Sequence, residues 1–187
     1  LGDSTGLDDL LSEVASHEHW DEGWNFRAMG QFGSNMSPLD SLLVALGRSR
    51  DARALPLILK LAAQLDADTD FSHHRATALA LEALGDTRAA PVLAAVLRQP
   101  GMGGHALVTV ETAALGHVEI DRSLTGLKPR RRSLRELFLA RALLRCGDED
   151  GLGRRILEQY REDVRGHFAR HAAAVLALAD TGAPATP

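Results

Sequence analysis

The sequence predicts an all-α protein, an α-α superhelix of about five helical hairpins, and three observations carry that prediction. Aromatic residues make up only 4% of the 187 residues, while Ala and Leu dominate. That mix suits closely packed helices better than strands, which draw on β-branched and aromatic side chains. A ladder of glycines recurs along the chain: Gly47, Gly85, Gly116, Gly147 and Gly182, separated by 38, 31, 31 and 35 residues. Each follows a helix-like apolar run, ending at Leu46, Leu84, Leu115, Cys146 and Thr181. A glycine just past a helix takes the left-handed conformation that closes the last turn. Recurrence at about 35 residues marks an array whose single units cannot bury an apolar face alone.

The elements follow in order. Leu7, Leu10, Leu11, Val14 and Ala15 form an i, i+3, i+4, i+7, i+8 stripe, which predicts an amphipathic helix over residues 6–16. Residues 17–36 lose all periodicity and hold Trp20, Trp24, Phe26 and Phe32, half of the aromatic residues. These rings are expected to cover the apolar end of the first repeat, as a terminal cap must. The competing expectation is a docking surface made by Trp20, Trp24, Phe26, Arg27 and Phe32. Ser37-Pro38-Leu39-Asp40 opens the first glycine-closed helix, with Ser37 as N-cap and Pro38 at its first position. Ser72 is expected to open the next, and Ser133-Leu134-Arg135-Glu136 reads as a capping box for a later one.

Between them lie helices of a first type, begun by Arg53-Ala54-Leu55-Pro56 and Arg88-Ala89-Ala90-Pro91, with proline in the first turn. Another runs through Leu152, Ile156, Leu157 and Tyr160. Residues 117–132 read as a long irregular connection. The alanine-rich second helices (Ala76, Ala78, Ala80 and Ala83; Ala172, Ala173, Ala174 and Ala177) allow neighbouring helices to approach closely. The expected organisation is a helix and aromatic cap over 1–36, a repeat array over 37–182 and a disordered tail over 183–187.

The totals bound the function. With 45% hydrophobic and 25% charged residues the composition is that of a soluble globular domain. The single cysteine, Cys146, permits no internal disulfide. No apolar run approaches the roughly 20 residues of a membrane span, and no signal segment is evident. The first residue is Leu1 rather than methionine, as expected of a processed product or a piece of a longer chain. Residues 1–26 carry a charge of -7, which leaves +3 for the rest of a chain of net charge -4. Eight bases fall between Arg122 and Arg145 against Glu136 alone. Half of that stretch lies in the expected connection, so a solvated arginine-rich surface is expected in preference to a nucleic-acid site.

Counting eleven residues back from each glycine gives Met36, His74, His105, Glu136 and His171; one step earlier lie Asn35, His73, Gly104, Arg135 and Arg170. Equivalent positions in a repeat array form a row, here at the first turn of the second helices. Adjacent helices stand roughly 8–10 Å apart, whereas zinc draws its ligands to about 2 Å, so the row is not a metal site. His167 and His171 are spaced i, i+4 but lack a His-Glu-x-x-His motif. His117-Val118-Glu119 lacks the Pro-Cys-x-x-Cys partner of a zinc deaminase. Imidazoles at helix N-termini are expected to bond loop backbone and stay neutral. The functional alternative is a binding strip of His74, Arg75, His105, Arg135, Glu136, Arg170 and His171 that reads an anionic group or an acidic partner segment. No nucleotide-binding glycine motif, P-loop or nucleophile elbow is present. Cys146, placed at a helix C-terminus, lacks the dipole end that activates thiolates.

The Arg-Ala…Leu-Gly-Asp pattern (Arg75-Ala76 to Leu84-Gly85-Asp86) resembles the short HEAT-like, phycobilin-lyase-type class of armadillo-type solenoids. Trp24 through Gln31, Ser37 through Gly47, Phe71 through Ala76, Leu134 through Asp148 and Arg165 through His171 are similar to the helical-repeat region C-terminal to bacterial FAD-dependent oxidoreductase domains. The likeness runs from about residue 20 to 178. It implies an interaction or accessory module whose parent carries the flavin chemistry upstream. It implies no cofactor in this segment, and no catalytic residue carries over. The partner it implies is a protein or another domain of the parent. The alternative is a free-standing scaffold that binds a protein, an anionic ligand or nucleic acid on its concave face.

Overall fold

The computed structural model describes residues 5–22, 36–118 and 128–181, and among them the chain is all-helical, with nine α-helices and no strand. They are α1 (Leu7–Ser16), α2 (Pro38–Ser49), α3 (Ala54–Ala62), α4 (Phe71–Leu84), α5 (Ala90–Leu97), α6 (Val110–Val118), α7 (Lys128–Arg145), α8 (Leu152–Arg161) and α9 (Gly166–Asp180). Helix α2 packs along α4 and α4 along α7, while α1, α3 and α5 pack in succession behind them. The pairs are α1 with α2, α3 with α4, α5 with α7, and α8 with α9. Among the described residues α5 packs on α7, and α7 packs on α8. One continuous core runs from Val14 of α1 through Leu43, Ile58, Leu81, Leu93 and Leu139 to Leu176 of α9.

Helix α2 begins as its sequence predicts. Ser37 Oγ accepts from the Asp40 amide at 3.0 Å, and Asp40 accepts from the Ser37 amide at 2.8 Å, a complete capping box. Gly47 does not end this helix, which continues to Ser49 and closes on left-handed Arg50, φ 58°. Gly47 is buried inside α2, and a Cβ there would stand 2.4 Å from the Ala80 Cα of α4. Its role is close helix approach, so the pattern of glycine after an apolar run was the right residue with another cause.

Two rungs of the glycine ladder do close their helices: Gly85 caps α4 at φ 64°, and Gly147 follows α7 at φ 109°. Gly116 lies within α6, and Gly182 lies outside the described residues. Helix α4 starts at Phe71, one residue before Ser72, which is buried. Helix α7 starts at Lys128, so Ser133 sits inside it and its hydroxyl donates to the His105 carbonyl at 3.1 Å instead of capping. The expected irregular stretch 117–132 is helical at both ends, through Val118 and from Lys128. The tail over 183–187 lies outside the described residues.

Candidate functional site

The first turn of α4 carries two adjacent histidines with opposite electrostatics. His73 Nδ1 lies 2.7 Å from Oδ1 of Asp40, which is fully buried in the α2 capping box. Trp20 stacks on the His73 ring with centroids 4.4 Å apart, and its indole donates to the Leu61 carbonyl at 3.1 Å. Asp21 reaches the same place: its Oδ2 accepts from the Leu39 amide at 3.1 Å, and its Oδ1 lies 4.0 Å from His73 Nε2. Burial alone would lower the His73 pKa, but the Asp40 bond and charge, with the charges of Asp21 and Asp70, outweigh it and raise the pKa. Asp40 is likewise pushed up by burial, yet His73 and the Ser37 amide bring its pKa below the ordinary carboxylate value. The two form a buried hydrogen-bonded pair covered by an indole.

His74 is also fully buried, with Nδ1 at 3.0 Å from the Asp70 carbonyl and Nε2 at 2.9 Å from the Asp66 carbonyl. Burial holds its pKa down to about 4, against the pull of those carbonyls, and the Arg135 charge adds to the lowering. The neutral ring has one N–H, so one carbonyl receives a hydrogen bond and the other faces a lone pair. Arg135 is 5% exposed. It ties two loops together, donating to the Ala67 carbonyl at 2.8 Å and the Gly101 carbonyl at 2.6 Å.

Glu136 is a second buried hub. Its Oε1 accepts from the Gly104 amide at 2.8 Å, and its Oε2 accepts from the His105 amide at 2.8 Å and the Tyr160 hydroxyl at 2.7 Å. Burial raises the Tyr160 pKa, and the Glu136 charge raises it further, so the phenol stays a donor. The His105 ring bonds the Gly101 carbonyl at 3.0 Å. Asp163 continues the pattern towards α9: it accepts from the Leu107 amide at 2.9 Å and pairs with Arg165, whose guanidinium also reaches the His105 carbonyl at 2.9 Å. Burial pushes the Asp163 carboxyl up, but Arg165 and the amide bonds hold it below its ordinary range.

The structure therefore does not bring His74, Arg75, His105, Arg135, Glu136, Arg170 and His171 together as one open strip. His74, Arg135 and Glu136 are buried and bonded to loop backbone, His74 to the loop that leads into its own helix. Arg75 and His171 are half-buried and Arg170 is exposed. Of the expected docking surface, Trp20 packs on His73 as a cap would, and Trp24, Phe26, Arg27 and Phe32 lie outside the described residues.

What does share a face is a different set. On α4, Phe71, Arg75, Leu79 and Glu82 follow the i, i+4, i+8, i+11 spacing of one helix face, and all are half-buried. On α7, Arg131, Leu134, Phe138, Arg141 and Arg145 share a face at i, i+3, i+7, i+10 and i+14 and are likewise half-buried. The faces meet. Phe71 and Phe138 are 6.2 Å apart, Arg141 lies 5.0 Å over the Phe138 ring, and Arg141 and Arg145 both pair with Glu82. Burial lowers the His171 pKa and the charges of Arg141 and Arg145 lower it further, which places a neutral imidazole beside them. Phe138 stands between Arg135 and Arg141 in the sequence, a signal that the basic stretch alone conceals.

A second missed signal is Asp-x-Arg. Asp51–Arg53, Asp86–Arg88 and Asp163–Arg165 each join a guanidinium to a carboxylate that also accepts the arginine's own amide. The first two precede the Ala-x-Pro starts of α3 and α5, so Asp-x-Arg-Ala-x-Pro was legible as a repeated unit.

Among the described residues no three His, Cys, Asp or Glu side chains gather to hold a metal ion, and no helix is long and apolar enough to cross a membrane. Burial pushes the Cys146 thiol up to about 12, with help from Glu82 and Asp86, so it stays protonated. Compared with known proteins, the chain matches no family model, no curated protein and no solved structure at a significant level.

Proposed function

We propose that this chain is a HEAT-like helical-repeat module that holds a protein partner, and that it is the non-catalytic C-terminal part of a larger bacterial FAD-dependent oxidoreductase. The observation that carries the reading is how its polar groups are used. Asp40, His73, Arg135, Glu136 and Asp163 all tie one repeat to the next, while the α4–α7 face keeps arginines and aromatic rings half-exposed. Side-by-side packing of α2, α4 and α7, with α1, α3 and α5 behind them, supports an α-α superhelix. The flavoenzyme parentage rests on the resemblance of the stretches quoted above.

Two measurements test it. The reading frame upstream of Leu1 is expected to encode a strand followed by Gly-x-Gly-x-x-Gly. The purified chain is expected to fold without flavin absorbance and to bind the separately expressed upstream half. Stoichiometric flavin on this chain alone would overturn the accessory role. Failure of the two halves to associate would overturn the docking role.

A further inference from the structure

The α4–α7 face is unequal in charge. Arg75, Arg131, Arg141 and Arg145 lie on it against a single acid, Glu82. Glu82 is already shared between two guanidinium groups, so the pairing on that face leaves positive charge unneutralised. Arg75 is more telling. Its Nε is buried with no hydrogen-bond partner among the described residues, and a buried donor without an acceptor carries a desolvation penalty. Its i−4 and i+4 neighbours on the helix are Phe71 and Leu79, neither of which supplies an acceptor. Apolar side chains alternate with the arginines on both helices, and the exposed Leu178 lies two turns beyond His171 on α9.

We infer that this face binds an acidic, amphipathic segment of a protein partner, whose carboxylates pair with Arg75, Arg131, Arg141 and Arg145 and whose apolar side chains lie over Phe71, Leu79, Leu134 and Phe138. Charge complementarity selects the occupant. Guanidinium groups pair carboxylates in a bidentate fork, and the alternation of charge with apolar surface fits a helix that lays one face into a groove. A nucleic acid fits less well. Glu82, already held on this face by Arg141 and Arg145, would stand against a phosphate backbone. The inference rests on the interaction-module reading and names the partner chemistry for it.

The test uses the full chain and fluorescein-labelled 15-residue helical peptides, with Leu and Phe at i, i+3, i+4 and i+7 and Glu elsewhere. Peptides with Gln in place of Glu serve as the comparison. Anisotropy is expected to show binding of the acidic peptide at least tenfold tighter than of its Gln counterpart, weakening as salt rises. Arg75→Glu is expected to weaken it at least fivefold. Glu82→Gln, which frees Arg141 and Arg145, is expected to tighten it severalfold. Arg161→Glu, at the end of α8, is expected to leave it unchanged. Circular dichroism confirms that each variant is folded. Equal affinity for the two peptides, indifference to both Arg75→Glu and Glu82→Gln, or tighter binding of a single-stranded oligonucleotide through the same residues would each overturn the proposal. If the acidic peptide fails while the chain still binds its upstream half, the module reading stands and only the acidic partner falls.

Discussion

Two buried carboxylates join neighbouring elements, one in the first turn of α2 and one midway along α7, and they do so with different partners. Asp40, on α2, is paired with an imidazole from α4 that is roofed by Trp20. Glu136, on α7, is held by two backbone amides and a phenol. The geometry is of one kind, a carboxylate reaching across to the next element, but the electrostatics are not. An amide does not titrate, and Tyr160 is pushed further from neutral pH. His73 is an imidazole whose ordinary pKa lies near neutrality, so the Asp40 junction carries a donor that titrates there, whereas the donors of the Glu136 junction do not. The N-terminal part of the molecule therefore has an adjustable seam and the C-terminal part a fixed one.

The largest expected effect lies at the fixed seam. Glu136→Ala strands three donors, the buried Tyr160 hydroxyl among them, and should lower unfolding stability by about 3 kcal/mol in urea titration. A loss below about 1 kcal/mol would show that water replaces the carboxylate. At the adjustable seam, Asp40→Asn should cost about 2 kcal/mol, since it removes the charge on His73's partner while leaving an acceptor for the Ser37 amide.

The pH response separates the two seams more sharply. The His73 pKa is raised on folding, so its contribution is complete below the unfolded value of about 6.5 and is lost as pH rises through the folded value. The Asp40 pKa is lowered, so its contribution is complete above about 3.8 and is lost as pH falls through its folded value. The pair is therefore most effective between about pH 4 and 6.5. His74 works in the other sense: with a folded pKa of about 4, it favours unfolding progressively as pH drops from about 6.5. Thermal melts between about pH 6 and 9 should show a declining stability that His73→Gln flattens and Glu136→Gln leaves in place. An unchanged slope in His73→Gln would remove the adjustable seam from the account.

Trp20→Ala should cost about 2 kcal/mol through lost stacking and the lost bond to Leu61, and it should bring the His73 resonance closer to ordinary imidazole behaviour in an NMR titration. The smallest effect is expected for Arg53→Ala. Its pairs with Asp51 and Asp8 are exposed, so melting should not change measurably.

Much of the fold was legible in the chain. The stripe of Leu7, Leu10, Leu11 and Val14, the Ser37–Asp40 box, the two Ala-x-Pro helix starts and the closing glycines Gly85 and Gly147 are local signals, set by residues within a turn or two of one another. The site was less legible. Counting from the glycines put His74, His105 and Glu136 in one row, but they take different places: His74 in the first turn of α4, His105 in the loop before α6 and Glu136 midway along α7. Those three turned inward to loop backbone. The half-exposed row lies one residue along, at Arg75, and on the α7 stripe around Phe138.

The sequence by itself determined the helical class and most helix starts, because capping, proline geometry and apolar periodicity act over a few residues. Tertiary structure alone decided that Gly47 is a contact point and not a helix end, since a Cβ there would stand 2.4 Å from the Ala80 Cα and so cannot fit. It also decided that α5 packs on α7 and that the pKa values of neighbouring histidines shift in opposite directions. Both depend on which distant groups are close enough in space to supply an acceptor or exclude water. Local chemistry wrote the helices; burial and long-range pairing assigned their polar residues to the seams or to the open face.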